Sequence, residues 1–456
     1  MTRATLFALL FALVLGFFAA LAIERAGPER RFAPDSPGYV GPARALLALG
    51  RFSESPDRPD QPEVLRTPGY PVFLAAVWSV IGVSPLAAAL AQVGFGLLTI
   101  ALAARLSRQL GGSAAVTAWL LALDATLFLY TQKLLSETLF TCALLVTTSL
   151  ALRAAQRDSA HTRRVDGPFT RGLSVGLAAA ATAFVRPVAY FLGPLLGFAL
   201  VFRLPKPKRL PVALGVLLGW AALVAPWHAR NVDVNDTSDF SVVGSINLAL
   251  CRAADVVALR DAVPYEVGRA RIVQAVGDTT GLWRGRCGRE LRRVAIATAL
   301  DEPLLWLRAS GREAARMLLI PGESGLSELA GWRELGAGPI GDLLRLDFAQ
   351  WRARWWGEER ARFMLVVALG LHWLLLAGLA GWGGVSVWRG TTHGASGQRS
   401  VAVALILGVI AITLAVPALA GCELYSRFRA PIDPLLAVLA GVGAARFSRL
   451  RPTSSS

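Results

Sequence analysis

Charge is scarce in this chain. Asp, Glu, Lys and Arg make up 17% of 456 residues, where a soluble domain carries about a quarter. An ordinary soluble domain is therefore excluded, since long stretches carry nothing that would solvate them. Cysteine and histidine are scarce too, with four of each, and no pair of them has the spacing of a metal site. There is no internal repeat and no inverted half-to-half symmetry of the kind many transporters show. The formal net charge of +16 comes without the aromatic and basic module of a nucleic-acid binder. Its basic residues are spread over segments between apolar runs, so anionic lipid headgroups are the nearer partner and nucleic acid is excluded.

What is present is apolar sequence in long blocks. Several runs reach the roughly 20 residues a helix needs to cross a bilayer. They are rich in Leu, Ala and Val without alternation, and only helices and closed barrels satisfy their backbone in lipid. The fold class expected is an all-α polytopic membrane protein. About ten spans are expected, near 4–23, 86–104, 113–130, 137–152, 172–185, 188–202, 210–227, 363–388, 401–421 and 431–445. The first reads as a retained anchor rather than a cleaved signal. With the N-terminus inside, the inner segments hold 17 Lys and Arg against only Asp158 and Asp166. The outer segments 24–85 and 228–360 are balanced in sign, with seven and 18 of each. That asymmetry obeys the positive-inside rule and places both termini in the cytoplasm. Counting 68–83 as a span would put the Arg-rich 153–171 segment outside, so 68–83 reads as an interfacial helix. The chain then divides into a membrane module, 1–227, with the outer loop 24–85, a large outer loop, 228–360, and C-terminal spans, 361–456. Within the large loop, 294–320 mixes Leu304, Leu305, Leu307, Leu318 and Leu319 with Arg308, Arg312 and Arg316, which suits one interfacial amphipathic helix.

Unusual polar residues gather at the outer junctions. Ser36-Pro37 signals a helix start, and Tyr39, Ala43, Leu46, Leu47 and Gly50 share the face that follows. Asp35, just before it, either complements the helix N-terminus or serves as a general base. Arg66 precedes the rigid turn Thr67-Pro68-Gly69-Tyr70-Pro71 and either snorkels or meets a ligand. Ser136 is a plausible cap for the helix opened by Glu137, an acid costly at a span's edge unless partnered. Arg186 is nearly isolated in apolar sequence, and Arg427 and Arg429 stand at another junction beside Glu423 and Tyr425. Arginines at such depth meet an anion or a carboxylate, and phosphate is the obvious lipid-borne anion. Trp227, His228, Arg230 and Asn231 mark the mouth of the large loop. Cys142 reads as a packing residue, Cys422 closes an apolar run, and Cys251 and Cys287 share the large loop, where an oxidising exterior would allow a disulfide between them. Asp124 is the exceptional charge within a span.

The ordered segments PDSPGY, RTPGYPVFLA, LLSETLF, VRP, PWHARN and SRFRAPIDP resemble the GT-C membrane glycosyltransferases. They are similar to bacterial dolichyl-phosphate-mannose-protein mannosyltransferase-like and aminoarabinose transferase-like proteins, across about residues 30–435. The resemblance implies a GT-C fold and a polyprenyl-phosphate-linked monosaccharide as donor. It further implies inverting transfer on the outer face of the cytoplasmic membrane to a lipid, glycan or protein acceptor. Asp35 and Glu137 match the family's acidic motifs as catalytic residues, with Tyr39 on the acceptor side. Arg66, Tyr70, Arg186, Arg230, Arg427 and Arg429 fall in the motifs facing the donor phosphate. The resemblance fixes no cofactor and leaves a divalent metal open. The chain departs from the pattern where Ser36 follows Asp35, where Phe428 follows Arg427, and in having no added soluble domain in the large loop. Against a transferase stand a transporter or flippase of an anionic or lipid-linked substrate, and a non-catalytic partner in envelope biosynthesis.

Overall fold

The computed structural model describes residues 2–156, 167–277, 285–319, 323–332, 348–389, 395–421 and 426–449. Cys422, Glu423 and Tyr425, and Arg157, Arg163, Arg164, Asp158 and Asp166, lie outside the described residues. The protein is an all-helical polytopic bundle. Its first half comprises α1 (Arg3–Ala26), α2 (Pro37–Leu49), α3 (Gly69–Ile81), α4 (Pro85–Gln109), α5 (Ala114–Ala122), α6 (Ala125–Gln132), α7 (Glu137–Ala155), α8 (Pro168–Val185), α9 (Leu192–Arg203) and α10 (Lys206–Asn235). Among the described residues eight helices are long and apolar enough to cross a membrane, or nine if α5 and α6 count as one bent span. That set departs from the expected ten in three places. α8, which carries Arg171 within 18 residues, and α9, of 12 residues, fall outside it. The helix Val242–Arg260, expected within the large outer loop, falls inside it.

The bend in the expected 113–130 span has a local cause. The Asp124 carboxylate accepts from the backbone N–H groups of Thr126 (2.8 Å) and Leu127 (3.0 Å). It thereby caps α6 and turns it 55° from α5. α3 is a 13-residue helix, roughly 20 Å long and short for a span, as the reading of 68–83 requires. α2 begins at Pro37, as Ser36-Pro37 signals, and ends at Leu49, so Gly50 is not on its face but caps it in the left-handed region at φ 63°. Ser36 and Ser136, however, make no capping bonds. The Ser36 hydroxyl donates instead to Leu134 O (2.9 Å), and the Ser136 hydroxyl lies 3.3 Å from that of Tyr39. A contact to a distant segment has displaced the local cap in both.

The bundle is drawn tight where glycines let backbones touch. On α8, an added Cβ at Gly172 or Gly176 would fall 2.2 or 2.1 Å from carbonyl oxygens of α10. On α10, Gly215 and Gly219 stand equally close to α8. Both pairs have the small-xxx-small spacing that brings membrane helices together. A second such crossing sets Gly383 of the helix Arg360–Arg389 and Gly443 of the helix Asp433–Arg449 against each other's helix. Gly176→Ala is expected to destabilise the protein by about 1–3 kcal/mol through overpacking, whereas Gly94→Ala, which meets open space, leaves stability unchanged. Thermal unfolding in detergent reads the difference, and equal midpoints would refute so close a crossing.

The large loop is folded. Val242, Ile246, Leu250 and Val257 bury themselves against Leu291, Ala295 and Trp306 in a core of their own. The amphipathic stretch 294–320 is two helices, Gly285–Asp301 and Pro303–Leu319, because proline has no N–H to continue the first. Leu300, Leu304 and Leu307 are exposed at that junction. The Cys251–Cys287 disulfide that the shared loop would allow is not made: Cys251 is disulfide-bonded, and Cys287 is a buried cysteine outside any disulfide, packed in the loop's core.

Candidate active site

Two hydrogen bonds hold the segment after α1 against the turn before α7. Leu134 N donates to Arg31 O (2.9 Å), and Ser36 Oγ donates to Leu134 O. Arg31 is fully buried and donates to Ala20 O (2.5 Å), anchoring this corner to the end of α1. The ties bring Asp35 beside Glu137, about a hundred residues on in the chain. Glu63 shapes the neighbouring turn, its carboxylate accepting from Leu65 N (2.6 Å) and Arg66 N (2.7 Å). Burial, opposed by those two backbone donors and by the Arg66 charge, pushes the Glu63 carboxyl above its ordinary value. At Gly69 the absence of a side chain lets the start of α3 lie on the end of α8, where a Cβ would fall 2.6 Å from Phe184 O. Arg66 is thereby brought to the same corner as Arg186.

Five charged side chains meet there. Arg66 Nη2 donates to Asp35 Oδ1 at 2.6 Å, and Arg427 Nη1 to Asp35 Oδ2 at 2.7 Å. Arg427 Nε also donates to Glu137 Oε1, so one guanidinium bridges both acids. Arg186 Nη1 lies 2.5 Å from the same Glu137 oxygen. Glu137 is wholly buried, and its second oxygen, Oε2, has no hydrogen-bond partner among the described residues. Asp35 keeps 34% of its side chain exposed. Aromatic faces wall the cluster, with Arg66 4.9 Å from the Tyr39 ring centroid and Arg186 5.4 Å from that of Phe428. Burial works against ionisation of Asp35, but Arg66 and Arg427 outweigh it and hold the carboxyl well below the usual carboxylate range. Three guanidiniums against two carboxylates leave a local excess of one positive charge, open toward solvent at Asp35. Asp35 and Glu137 both face arginines, and among the described residues no three His, Cys, Asp or Glu converge.

Asp35, Tyr39, Arg66, Glu137, Arg186 and Arg427 are thus brought together, and all come from segments expected at outer junctions. Tyr70, Arg230 and Arg429 are not in the cluster. Tyr70 is fully buried, its hydroxyl donates to Gln92 Oε1 (2.6 Å), and its ring supports Tyr39 edge-on at 5.1 Å. Arg230 donates to Glu63 O (2.6 Å) and Phe52 O (3.1 Å), fastening the segment between α2 and α3 to α10. Arg429 is buried over Trp373 (4.1 Å) near Asp433 and donates to Leu318 O (3.2 Å). Sequence reasoning passed over Gln92, whose amide nitrogen donates to Thr131 O and Lys133 O. It also passed over the Lys133–Glu328 pair at 2.6 Å, which draws the large loop onto this corner. A glutamine within an apolar span was the available signal for Gln92. Nothing local signals a partner 195 residues from Lys133.

No family model matches the chain, and no curated protein matches it in sequence. Solved structures do. The archaeal oligosaccharyltransferase AglB from Archaeoglobus fulgidus, in complex with an inhibitory peptide and a dolichol-phosphate, aligns over 96% of this chain at 12% identity and TM-score 0.50. The same oligosaccharyltransferase tethered to an acceptor peptide aligns over 95% of this chain at 14% identity, also at 0.50. ArnT from Cupriavidus metallidurans, bound to undecaprenyl phosphate, aligns over 95% of this chain and 78% of its own at 15% identity and TM-score 0.38. The chain spans only about half the length of the oligosaccharyltransferase, 50% and 49% in the two structures. What the likeness to that enzyme shows is a shared architecture: this chain has the GT-C membrane fold.

Proposed function

We propose that the protein is a membrane glycosyltransferase that moves a monosaccharide from a polyprenyl-phosphate donor to an acceptor on the outer face of the cytoplasmic membrane. The observation that carries this reading is the partly open cluster in which Asp35 stands among Arg66, Arg427 and, through Glu137, Arg186. The acceptor hydroxyl or amine attacks the anomeric carbon and passes its proton to Asp35. The bond from that carbon to the phosphate oxygen breaks, and the phosphate leaves with the electron pair. Attack opposite the leaving group inverts the configuration. A phosphate monoester is a stable anion, so it needs charge stabilisation rather than a proton, and guanidiniums supply this by bidentate bonds. Glu137 holds Arg186 and Arg427 in place for it. Because Arg427 bridges both acids, an incoming phosphate competes with Asp35 for it, and donor binding loosens the contact that depresses the base. A lipid donor and an acceptor held at one surface gain proximity as well. The dolichol-phosphate bound by the oligosaccharyltransferase of the same fold supports a lipid-phosphate donor.

The transport reading calls for charge deep in the bundle, and Asp124 is such a charge. Its bonds to Thr126 and Leu127 give it a capping role instead. Proteoliposomes loaded with a polyprenyl-phosphate sugar separate the two readings, since a transferase yields covalent product by mass spectrometry and a flippase only relocates the lipid.

The depressed Asp35 carboxyl sets the pH behaviour. The base works only when ionised, so the rate falls as pH drops through its pKa. In the wild type kcat/KM stays level down to about pH 4, an ordinary carboxylate value. Arg66→Gln removes an attraction that holds that pKa down, so the acid limb moves to higher pH. An acid limb that does not move between the two proteins would detach Asp35 from proton transfer.

A further inference from the structure

We propose that Arg429 is a positioning residue for the transfer, turning the short helix Ser426–Arg429 so that Arg427 faces Asp35 and Glu137. This rests on the reading of Arg427 as a guanidinium for the donor phosphate. A helix of four residues is too short to hold itself, so its direction is set by what its side chains grip. At about 3.6 residues per turn, side chains two positions apart project roughly 200° apart. Arg427 and Arg429 accordingly leave the helix on opposite sides. Arg427 reaches Asp35 and Glu137 and keeps 23% of its side chain exposed, whereas Arg429 keeps 4%. Phe428, between them, packs beside Met317 and Ala418, and its ring centroid stands 5.4 Å from the Arg186 guanidinium.

Arg429 is gripped on three sides. Its guanidinium lies 4.1 Å from the Trp373 ring centroid, and indole is the best of the aromatic faces for a cation. Its Nη1 donates at 3.2 Å to Leu318 O, in the last turn of the helix Pro303–Leu319, where a carbonyl has no partner within its own helix. Its Nε stands 3.7 Å from Asp433 Oδ1, one turn further along the chain. A side chain so enclosed has no open face for a phosphate, so the contact that the resemblance gives both arginines falls to Arg427. What Arg429 does instead is tie the helix that carries Arg427 to two distant elements. One is the end of a large-loop helix at Leu318, and the other is the span Arg360–Arg389, which carries Trp373.

The test pairs Arg429→Gln with Asp433→Asn, so that neither charge is stranded without the other, and follows transfer by the full chain in proteoliposomes. Thermal midpoints and membrane insertion show whether each protein is folded. The paired variant is expected to lose up to about 10²-fold in kcat/KM, the cost of a small misplacement at the reacting centre. Its acid limb moves to higher pH, because Asp35 is held down by Arg66 and Arg427 and Arg427 no longer faces it squarely. A role in folding alone leaves that limb where it is. Trp373→Ala leaves both charges in place and moves the limb the same way, while Trp373→Phe, which keeps a ring against the guanidinium, restores it. In an Arg427→Gln background the paired change costs little more, since Arg429 acts through Arg427. An unmoved acid limb in either the folded paired variant or folded Trp373→Ala overturns the proposal. So does a loss that adds in full to that of Arg427→Gln. A near-normal rate in Arg427→Gln itself overturns the phosphate reading beneath it as well.

Discussion

Asp35→Asn lowers the rate of sugar transfer by about 10²–10⁴-fold, the usual worth of a positioned general base, while the protein still folds and inserts. The asparagine keeps the shape of the side chain and can accept from Arg66 or Arg427 through its one oxygen, so the corner stays assembled. It cannot take the acceptor's proton. Arg427 keeps its bond to Glu137 and Arg66 stays partly exposed, so the unfolding midpoint shifts little. The measurement is single-turnover product formation in proteoliposomes, with membrane-inserted protein quantified in parallel. A near-normal rate at normal insertion removes Asp35 from the chemistry. It also favours a non-catalytic partner, which tolerates changes throughout the pocket. A loss of insertion together with rate would make Asp35 structural, the helix-terminus role its position before α2 also allows.

Glu137→Gln produces the opposite pattern, a large loss of stability. Glu137 is wholly buried and faces two guanidiniums. Without its charge, Arg186 loses its carboxylate partner while Arg427 keeps Asp35, and removing one partner of a buried pair costs about 3–5 kcal/mol. Adding Arg186→Gln removes the stranded charge, so the double variant is expected to be more stable than the sum of the single effects predicts. Thermal unfolding of the four proteins completes the cycle. Additive losses would mean that Glu137 and Arg186 are not coupled, contrary to their 2.5 Å contact. Activity falls in Glu137→Gln too, because the arginines meant for the phosphate are no longer held, and the instability that accompanies the loss separates it from that in Asp35→Asn.

The residues differed in how far their surroundings in the chain reported their role. Arg186 and Arg427 stood out because a charge beside long apolar runs needs a partner wherever it ends up. Arg429 and Arg230 looked the same by that criterion, and the fold gave them other partners: Trp373 and Leu318 O for one, Glu63 O and Phe52 O for the other. The caps expected of Ser36 and Ser136 were reasonable local chemistry. They were overridden because Leu134 O and Tyr39, supplied by distant segments, lie within reach. Asp124 ran the other way: a charge that looked exceptional within a span has a local explanation in the break it caps.

Apolar blocks separated by basic segments were enough to determine a helical membrane protein, because a backbone in lipid has no other partner for its N–H and C=O groups. Whether five side chains from residues 35, 66, 137, 186 and 427 share one space was decided by tertiary structure. Their meeting depends on backbone ties between separate segments and on glycines that let helices touch, and such contacts follow distance in space rather than order along the chain. The same holds for the folded large loop, where Val242, Ile246 and Leu250 pack on Leu291, Ala295 and Trp306 from a later part of the chain.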